Sequence, residues 1–586
     1  MRYNLKILII LLGTILIEGS CKKFNEINTD PNHLNYNQAA PDYLMANVLI
    51  KTAMDYGNLG SGILSGAMQQ TYQDAFGNAY SLYQWEAFDW TGNYARLKDN
   101  KLMMETSKNF GWKFHQGVGL VMRAFNFGMI ADLWGDAPDS MALQGELDAP
   151  EYQFPVFDPQ EKIYDRLIAD LKTAIPLLSG SKSDHPEITA TTEASDVFYQ
   201  GDPEKWTKLV YSLLLRYYLR LSNKRNVQTD VAGIANSVFS SNEDDCAMSF
   251  PGVDVSTSYQ HASMFQTSSD FNRNKMCATL VKKLDALKDP RIVIMAEPIV
   301  TPSVVDASKF LPADTTLVLL QNNIRYINPS SANKNKYKEF NIETYSADRP
   351  YRASTSSIWN FFDTSPVYIG IPISYSVSDF YYNLNGTGTQ SSSLNNYVSY
   401  LRRDIYDRPS GHLLRQCLAS YSEVCFDLAE AALKGWNVGG TSAEWYYKGI
   451  QASFELWEVF GQYQSEVNNY VGCVKDYGSY VAQPLVAFDG TLERIIEQKW
   501  IASWQASYES YMDWRRTGFP DIRVGYISER AAIPIRFAYP SSEIGNNLAN
   551  ADSAISKLET TPYNENDGNN SSWSKFWLLK GTGKPW

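Results

Sequence analysis

The chain has 586 residues, of which 44% are hydrophobic and 20% are charged, a balance typical of globular rather than disordered proteins. Its formal net charge is −12 and it has no cluster of Lys and Arg, which argues against nucleic acid binding. Aromatic residues are abundant, with 15 Trp, 38 Tyr and 26 Phe, and such side chains suit recognition surfaces because they combine apolar area with polar groups. Length alone is compatible with several domains or with one large body.

Residues 1–20 have the pattern of a signal peptide: a basic start, an apolar run and the small pair Gly19-Ser20. The apolar run is too short for a transmembrane helix, which needs about 20 apolar residues. A cysteine directly after small residues predicts a bacterial lipobox with Cys21 as the acylated residue, so that the chain is anchored by buried hydrocarbon. Glu18 departs from this pattern, because an apolar residue is usual there. The alternative is an ordinary signal peptide cleaved near Ser20, with Cys21 incidental.

Residues 21–40 are predicted to form an extended tether, since they contain the turn-forming run Asp30-Pro31-Asn32. Helical structure is predicted over 41–70, where the glycines between Gly60 and Gly66 indicate close helix packing rather than a nucleotide-binding loop. Residues 72–94 combine many aromatic residues with Gly and Asn, and we expect a loop followed by a helix start.

Three further helices are predicted from apolar periodicity and terminal signals. The first covers 112–133 and ends at Gly135, with a proline soon after. The second and third begin at Asp158-Pro159 and Asp202-Pro203, where an acidic cap precedes a proline at the first helical position. On the third helix, Arg216 and Arg220 lie one turn apart, away from the apolar stripe.

Helical periodicity fades between about 290 and 410. Short β-type runs appear at Ile292–Met295 and Leu317–Leu320, and Val367–Val377 resembles an edge strand because it contains a proline. We predict a long irregular insertion on a helical scaffold, and long loops on rigid scaffolds often carry function.

Helices are predicted to resume at about 411, in a pattern that includes Cys417 and Cys425, and strong helices are expected at 443–460 and 491–515. The predicted fold is therefore mostly α, with paired helices compatible with a tetratricopeptide-like arrangement in one large body, long irregular loops and a few short β-strands. The tetratricopeptide consensus itself is not visible.

The sequence shows no established catalytic or metal-binding motif. None of the five His residues pairs at metal-ligand spacing, and no nucleophile elbow or phosphate-binding loop is present. The 64 Asp and Glu residues leave a pair of catalytic carboxylates open. We expect a protein without catalysis, and we assign no catalytic residue, no metal ligand and no cofactor.

Aromatic clusters are the strongest candidates for ligand contact, because aromatic faces can stack on sugar rings or accept apolar peptide side chains. For any single aromatic residue, core packing is the more common role. The ligand-binding candidates are Tyr80, Tyr83, Trp85, Trp90 and Trp359.

A series of short motifs, in order along nearly the whole chain, resembles the SusD/RagB family of outer-membrane nutrient-binding lipoproteins of Bacteroidetes-type bacteria. Each motif is weak alone, but their order is specific. They are Phe24–Asn32, Leu133–Pro138, Phe157–Gln160, Gly201–Trp206, Asp289–Arg291, Glu497–Trp500, Asp513–Pro520, Ile533–Arg536 and Tyr539-Pro540.

The resemblance implies one SusD-like α-helical domain over 41–586, whose irregular insertion at about 290–410 holds the ligand with other loops. It also implies lipid anchoring at Cys21, an outer-membrane location at the cell surface, and a partner, a SusC-like TonB-dependent transporter. It does not decide between an oligosaccharide and a peptide ligand. The motifs resemble scaffold, and Arg515 and Arg516 are expected to pair with acids and carbonyls inside the body.

Two other functions remain open on the sequence. One is a glycan- or peptide-processing enzyme with an α-helical body. The other is a purely structural lid for the transporter, without ligand affinity of its own.

Overall fold

The computed structural model describes most of the chain outside the first 39 residues and the predicted insertion. The described residues are 40–73, 78–147, 149–259, 268–298, 303–304, 318–321, 324–327, 338–339, 361–363, 367–371, 373, 399–524, 528 and 530–582. The predicted signal peptide, the predicted lipidation site Cys21 and residues 21–39 of the predicted tether lie outside these residues.

Helices dominate the described part of the chain. In chain order they are α1 (Pro41–Ser61), α2 (Ile63–Ala67), α3 (Asn78–Ser81), α4 (Thr91–Phe110), α5 (Lys113–Trp134), α6 (Pro150–Gln153), α7 (Gln160–Leu178), α8 (Ala190–Ser195), α9 (Pro203–Leu221), α10 (Gln228–Ile234), α11 (Ser268–Arg273), α12 (Ala278–Ala286), α13 (Ile292–Met295), α14 (Arg403–Tyr406), α15 (Tyr421–Leu433), α16 (Ser442–Leu456), α17 (Gln464–Asn469), α18 (Tyr477–Val481), α19 (Leu492–Ala502), α20 (Tyr508–Thr517), α21 (Ser541–Asn546) and α22 (Leu548–Ser556).

The strands are short and mostly form small antiparallel pairs: β1 with β3, β2 with β9, β4 with β8, and β5 with β6, while β7 runs parallel to β8. Their bounds are β1 (Thr71–Gln73), β2 (Cys246–Ser249), β3 (Asn274–Met276), β4 (Ser303–Val304), β5 (Val318–Gln321), β6 (Ile324–Ile327), β7 (Lys338–Glu339), β8 (Phe361–Asp363) and β9 (Arg415–Ala419).

The long helices pack in pairs along the chain. α4 packs on α5, α5 on α7, α7 on α9, and α15 on α16 and α19, around one continuous hydrophobic core. The prediction of a mostly α body with tetratricopeptide-like helix pairs and a few short strands is confirmed. None of the described helices is long and apolar enough to cross a membrane.

Helix α5 is buried on nearly every side, and it ends where predicted. Gly135 follows it with φ 97°, and a Cβ atom built there would lie 2.9 Å from the Cβ atom of Phe576. Both facts require glycine, because L-residues rarely adopt this backbone conformation and the neighbouring ring leaves no room.

The expected role of Asp158 as the cap of α7 is wrong. Asp136 supplies that cap, since its Oδ1 atom accepts a 2.8 Å hydrogen bond from the Gln160 N–H. Asp158 instead accepts hydrogen bonds from the N–H groups of Asp139 and Ser140. The sequence pattern located the start of α7. The capping carboxylate, however, belongs to Asp136 in the segment that follows α5.

Helix α9 begins as predicted, because the Asp202 side chain accepts hydrogen bonds from the N–H groups of Glu204 and Lys205. Both of its arginines are buried against carboxylates of other helices. Arg216 binds Glu423 with two hydrogen bonds of 2.7 and 2.8 Å, and Arg220 is paired with Asp132 and Glu509. Arg220 therefore connects α9 to both α5 and α20.

Within the predicted insertion, the described residues give a mixed result. Ile292–Met295 is a helical turn and not a strand, whereas Val318–Gln321 is a strand as expected. In the stretch 367–371, Ile371 forms only an isolated bridge to Cys277. Cys417 lies in strand β9 rather than in a helix, because this segment pairs with β2 before α15 begins.

Candidate functional site

Three of the five aromatic residues predicted to contact ligand belong to the hydrophobic core. Tyr83 is 0%, Trp85 7% and Trp90 2% exposed, and the Trp85 ring packs edge-on against Phe537 at 5.1 Å between centroids. A ligand cannot stack on ring faces that protein side chains already cover. These three side chains lie in the hydrophobic core, and ligand contact by them stays a prediction.

Tyr80 is half-buried, and its ring lies against Gly62 and its backbone against Gly66. This confirms the interpretation of the glycines at 60–66 as close packing positions. Ligand contact by Tyr80 stays a prediction. Trp359 lies outside the described residues.

A different site is formed by a cavity of about 70 Å³ between β9, the end of α16, and the segment that joins α19 to α20. This volume would hold roughly five waters. The aromatic residues in its wall are Tyr56, Tyr259, Tyr406, Trp457 and Trp504.

The aromatic wall is held by hydrogen bonds that do not involve a ligand. The Trp504 indole N–H donates to the Tyr406 hydroxyl at 2.7 Å, and the Tyr259 hydroxyl donates to the Gln505 side-chain oxygen at 2.8 Å. These bonds fix the orientation of the rings and of the Gln505 amide before any ligand arrives, which lowers the entropic cost of binding.

The floor of the cavity is formed by charged side chains that are paired within the body. Lys499 lies 2.6 Å from Asp427 and 2.7 Å from Asp513. Glu423 is engaged by Arg216, and Glu509, which also lines the cavity, by the two arginines of α9. The inner charges therefore hold the helices together.

Two motifs from the sequence belong to this floor. Lys499 is part of the run Glu497–Trp500, in which the Trp500 indole N–H donates to the Met68 carbonyl at 2.9 Å. In the run Asp513–Pro520, Arg516 pairs with Glu430, and Arg515 donates to the carbonyls of Ile535 and Asp132, each at 2.8 Å. The expectation that these arginines bind acids and carbonyls inside the body is confirmed.

Two buried donors in the cavity wall have no hydrogen-bond partner among the described residues: the Trp457 indole N–H and the Gln505 side-chain NH₂ group. Both residues are 7% exposed. A buried donor without a partner costs about 1–3 kcal/mol. Such groups are expected where a ligand or a bound water supplies the missing acceptor.

Arg415 adds a third donor group to the wall. Its side chain is 30% exposed, and its nearest carboxylate oxygen, Asp245 Oδ2, is 3.9 Å away. That distance is beyond hydrogen-bond range. Burial raises the pKa of Asp245 to about 7, so this carboxylate is only partly ionised near neutral pH and compensates Arg415 weakly.

The backbone beside both unpartnered donors is in the left-handed region. Gln505 has φ 64°, and Glu458, directly after Trp457, has φ 51°. Non-glycine residues in this conformation cost free energy and are often retained at ligand sites. Gln505 and Trp457, the neighbour of Glu458, both line the cavity.

Two tyrosines that are distant in sequence meet at the cavity. Tyr259 and Tyr406 both line it, and the Tyr259 N–H donates to the Pro409 carbonyl at 2.8 Å. The chain around 259 and the chain around 406–409 are therefore adjacent at this site.

Sequence reasoning missed Arg415, Trp457 and Gln505 as candidates. Trp457 follows a strong helical pattern and resembles a core residue, and nothing in the local sequence marks Gln505. Only the meeting of three distant segments makes these side chains neighbours. Among the described residues no group of three or more His, Cys, Asp or Glu is arranged to hold a metal ion.

Comparison with known proteins identifies a matching protein family. The sequence matches the family SusD-like, described as starch-binding associating with outer membrane, over residues 31–345 and 363–540. No curated protein matches the chain.

Solved structures share the fold over nearly the whole chain. An outer membrane protein of Bacteroides vulgatus, named for a role in nutrient binding, is 22% identical with a TM-score of 0.66, covering 92% of this chain and 100% of its own. A SusD homolog of Bacteroides fragilis is 20% identical with a TM-score of 0.67 and the same coverage. A chitin-binding protein is 21% identical with a TM-score of 0.63, again with 92% and 100% covered.

Proposed function

The chain belongs to the SusD-like family, and on this premise we propose that it is a cell-surface lipoprotein that captures an oligosaccharide or peptide nutrient. In this proposal the protein passes its ligand to a SusC-like TonB-dependent transporter in the outer membrane and performs no catalysis. The family description and the name of the chitin-binding relative favour a glycan over a peptide.

The observation that carries the binding function is the cavity lined by aromatic side chains, in which two buried donors, Trp457 and Gln505, have no partner among the described residues. Aromatic rings supply apolar contact, while the N–H groups donate only to atoms with lone pairs, such as sugar or carbonyl oxygens. The cavity takes one end or branch of a ligand.

Isothermal titration calorimetry with a panel of oligosaccharides and peptides tests this function. We expect binding of at least one class, weakened tenfold or more in Trp457→Ala, with Trp436→Ala as a control outside the cavity. Turnover of any panel member would support the processing enzyme instead. Complete absence of binding across the panel would support the purely structural lid.

Lipid anchoring at Cys21 is tested by mass spectrometry of the mature N-terminus. Acylated Cys21 is the expected first residue. An unmodified Cys21, or cleavage elsewhere, would contradict lipid anchoring. The segment with Glu18 would then not be a lipobox.

The transporter partner is tested by purifying the tagged protein from native outer membranes with mild detergent. A β-barrel of the SusC-like class should co-purify in a fixed ratio. Its absence under conditions that preserve other outer-membrane complexes would remove the delivery step from the proposal while leaving nutrient binding in place.

A further inference from the structure

We propose that the cavity binds a carboxylate group at the end of the ligand, so that the captured nutrient is acidic. This inference rests on the proposed nutrient-binding function and specifies the ligand chemistry of the same site. The carboxylate could belong to a sugar acid or to the C-terminus of a peptide. Arg415, Trp457 and Gln505 are the lining residues that favour such a ligand.

The first step is the inventory of free hydrogen-bonding groups. Trp457 offers an indole N–H, which can only donate, and Gln505 offers its NH₂ group, because its oxygen already accepts from Tyr259. Arg415 has only donors and forms no side-chain hydrogen bond within the described part of the chain. Side chains that line the cavity thus contribute three donor groups that have no hydrogen-bond partner among the described residues.

The carboxylates that line the cavity are already paired with arginines. Glu423 is held by two hydrogen bonds from Arg216, and Glu509 is paired with Arg216 and Arg220. These pairs neutralise the acids that line the cavity. A ligand anion would consequently meet no uncompensated negative charge from the floor.

The two cations that line the cavity, Lys499 and Arg415, differ in how fully they are neutralised. Lys499 is neutralised by Asp427 and Asp513, whereas Arg415 has only Asp245, 3.9 Å away. Asp245 keeps one oxygen on the Tyr421 N–H at 2.7 Å and leaves the other without a hydrogen bond. Arg415 is thus the lining cation with the least compensation among the described residues.

These observations together favour an anion over a neutral acceptor. A planar carboxylate accepts two hydrogen bonds from a guanidinium fork and still offers lone pairs to further donors. The cavity of about 70 Å³ is large enough for such a group with its neighbouring atoms and too small for a long oligomer. The site therefore selects the terminal unit of the ligand.

The experiment compares matched probes by calorimetry on the full-length mature protein. Trigalacturonate is compared with its fully methyl-esterified form, and tetra-alanine with a free C-terminus is compared with tetra-alanine amide. We expect the carboxylate member of one pair to bind at least tenfold more tightly than its neutral partner. Which pair shows the difference identifies the source of the carboxylate.

Two variants and one control locate the effect. Arg415→Gln removes the cation, and Gln505→Glu replaces the free donors with acceptors at almost constant shape while keeping an oxygen for Tyr259. Both should abolish the tenfold preference. Arg408→Gln removes the same charge from an exposed position outside the cavity and should retain the preference.

A measurement on the unaltered protein does not depend on whether the variants fold. Raising the salt concentration tenfold should weaken binding of the preferred probe more than binding of any neutral ligand, since ions screen an exposed charge pair. Equal affinity for both members of each pair, or a preference unchanged in Arg415→Gln, overturns the carboxylate inference. Binding of neutral ligands alone overturns it too and leaves nutrient binding intact, whereas no binding across the whole panel overturns the proposed function itself.

Discussion

The ammonium group of Lys499 lies 2.6 Å from the carboxylate of Asp427, and both side chains are buried. The same ammonium lies 2.7 Å from Asp513, so one lysine joins α15, α19 and α20 beneath the cavity. The helices around the cavity are therefore held together by buried charges that pair with one another.

Replacing Lys499 with Met should lower the free energy of unfolding by about 3–5 kcal/mol, because two buried carboxylates lose their common cation. Urea denaturation measures the change. Lys172→Met is the matched control, since Lys172 and Asp230 form an exposed pair with an N···O distance of 3.6 Å, and it should cost less than about 1 kcal/mol. Equal effects of the two substitutions would contradict a structural role for the buried pair.

The pH dependence of stability should change in Asp245→Asn. Burial raises the pKa of Asp245 to about 7 in the folded protein, well above the usual value of about 3.9. The folded state therefore holds a proton that the unfolded state releases, and this contribution to stability is lost as pH rises from about 4 through 7. Asn stays neutral and can still accept from the Tyr421 N–H. Relative to the unaltered protein, the variant should gain about 2–3 kcal/mol between pH 5 and pH 8.

Denaturation of both proteins at several pH values tests this expectation. A stability difference that does not vary with pH would show that Asp245 is ionised in the folded state throughout this range. Arg415 would then have a charged neighbour, which would also weaken the inference of an acidic ligand.

Gly135→Ala should destabilise the protein more than Gly111→Ala. Gly135 has φ 97° and a Cβ atom there would meet Phe576 at 2.9 Å, whereas Gly111 has φ 73° with no atom within 4 Å. The control should cost about 1 kcal/mol for the left-handed conformation alone. Gly135→Ala should exceed it by about 1–3 kcal/mol. Similar melting temperatures for the two variants would mean that the segment containing Phe576 can shift at little cost in free energy.

Trp90→Ala should lower the free energy of unfolding by about 3–5 kcal/mol, because the ring is packed in the core. Its centroid is 5.6 Å from that of Trp134 and 5.7 Å from that of Phe157. Tyr43→Ala, at a position 70% exposed, should change stability by less than about 0.5 kcal/mol. A Trp90→Ala protein with normal stability but lost ligand binding would restore the ligand role first expected for this residue.

Local signals predicted the helices well. Apolar periodicity located α5 and α9, Asp202 caps α9 as expected, and Gly135 ends α5. These features depend on residues within one or two helical turns, which is why one sequence is enough to recognise them. The same reasoning failed where the hydrogen-bond partner is distant in sequence. Asp158 lies at a position that predicts a cap, yet the Gln160 N–H donates to Asp136, which follows α5.

The sequence by itself determined the fold class, the family resemblance, the end of α5 and the start of α9, because these depend on local periodicity and on the order of motifs. It did not show that the helix predicted at 491–515 is two helices, α19 and α20. Only the tertiary structure decided which aromatic side chains are covered and which donors remain free. Trp90 and Trp457 look alike in sequence, but the Trp90 ring is packed among other aromatic rings, while the indole N–H of Trp457 has no partner among the described residues. Burial and hydrogen-bond satisfaction are set by contacts between segments hundreds of residues apart, and the cavity arises where β9, α16 and the α19–α20 connection meet.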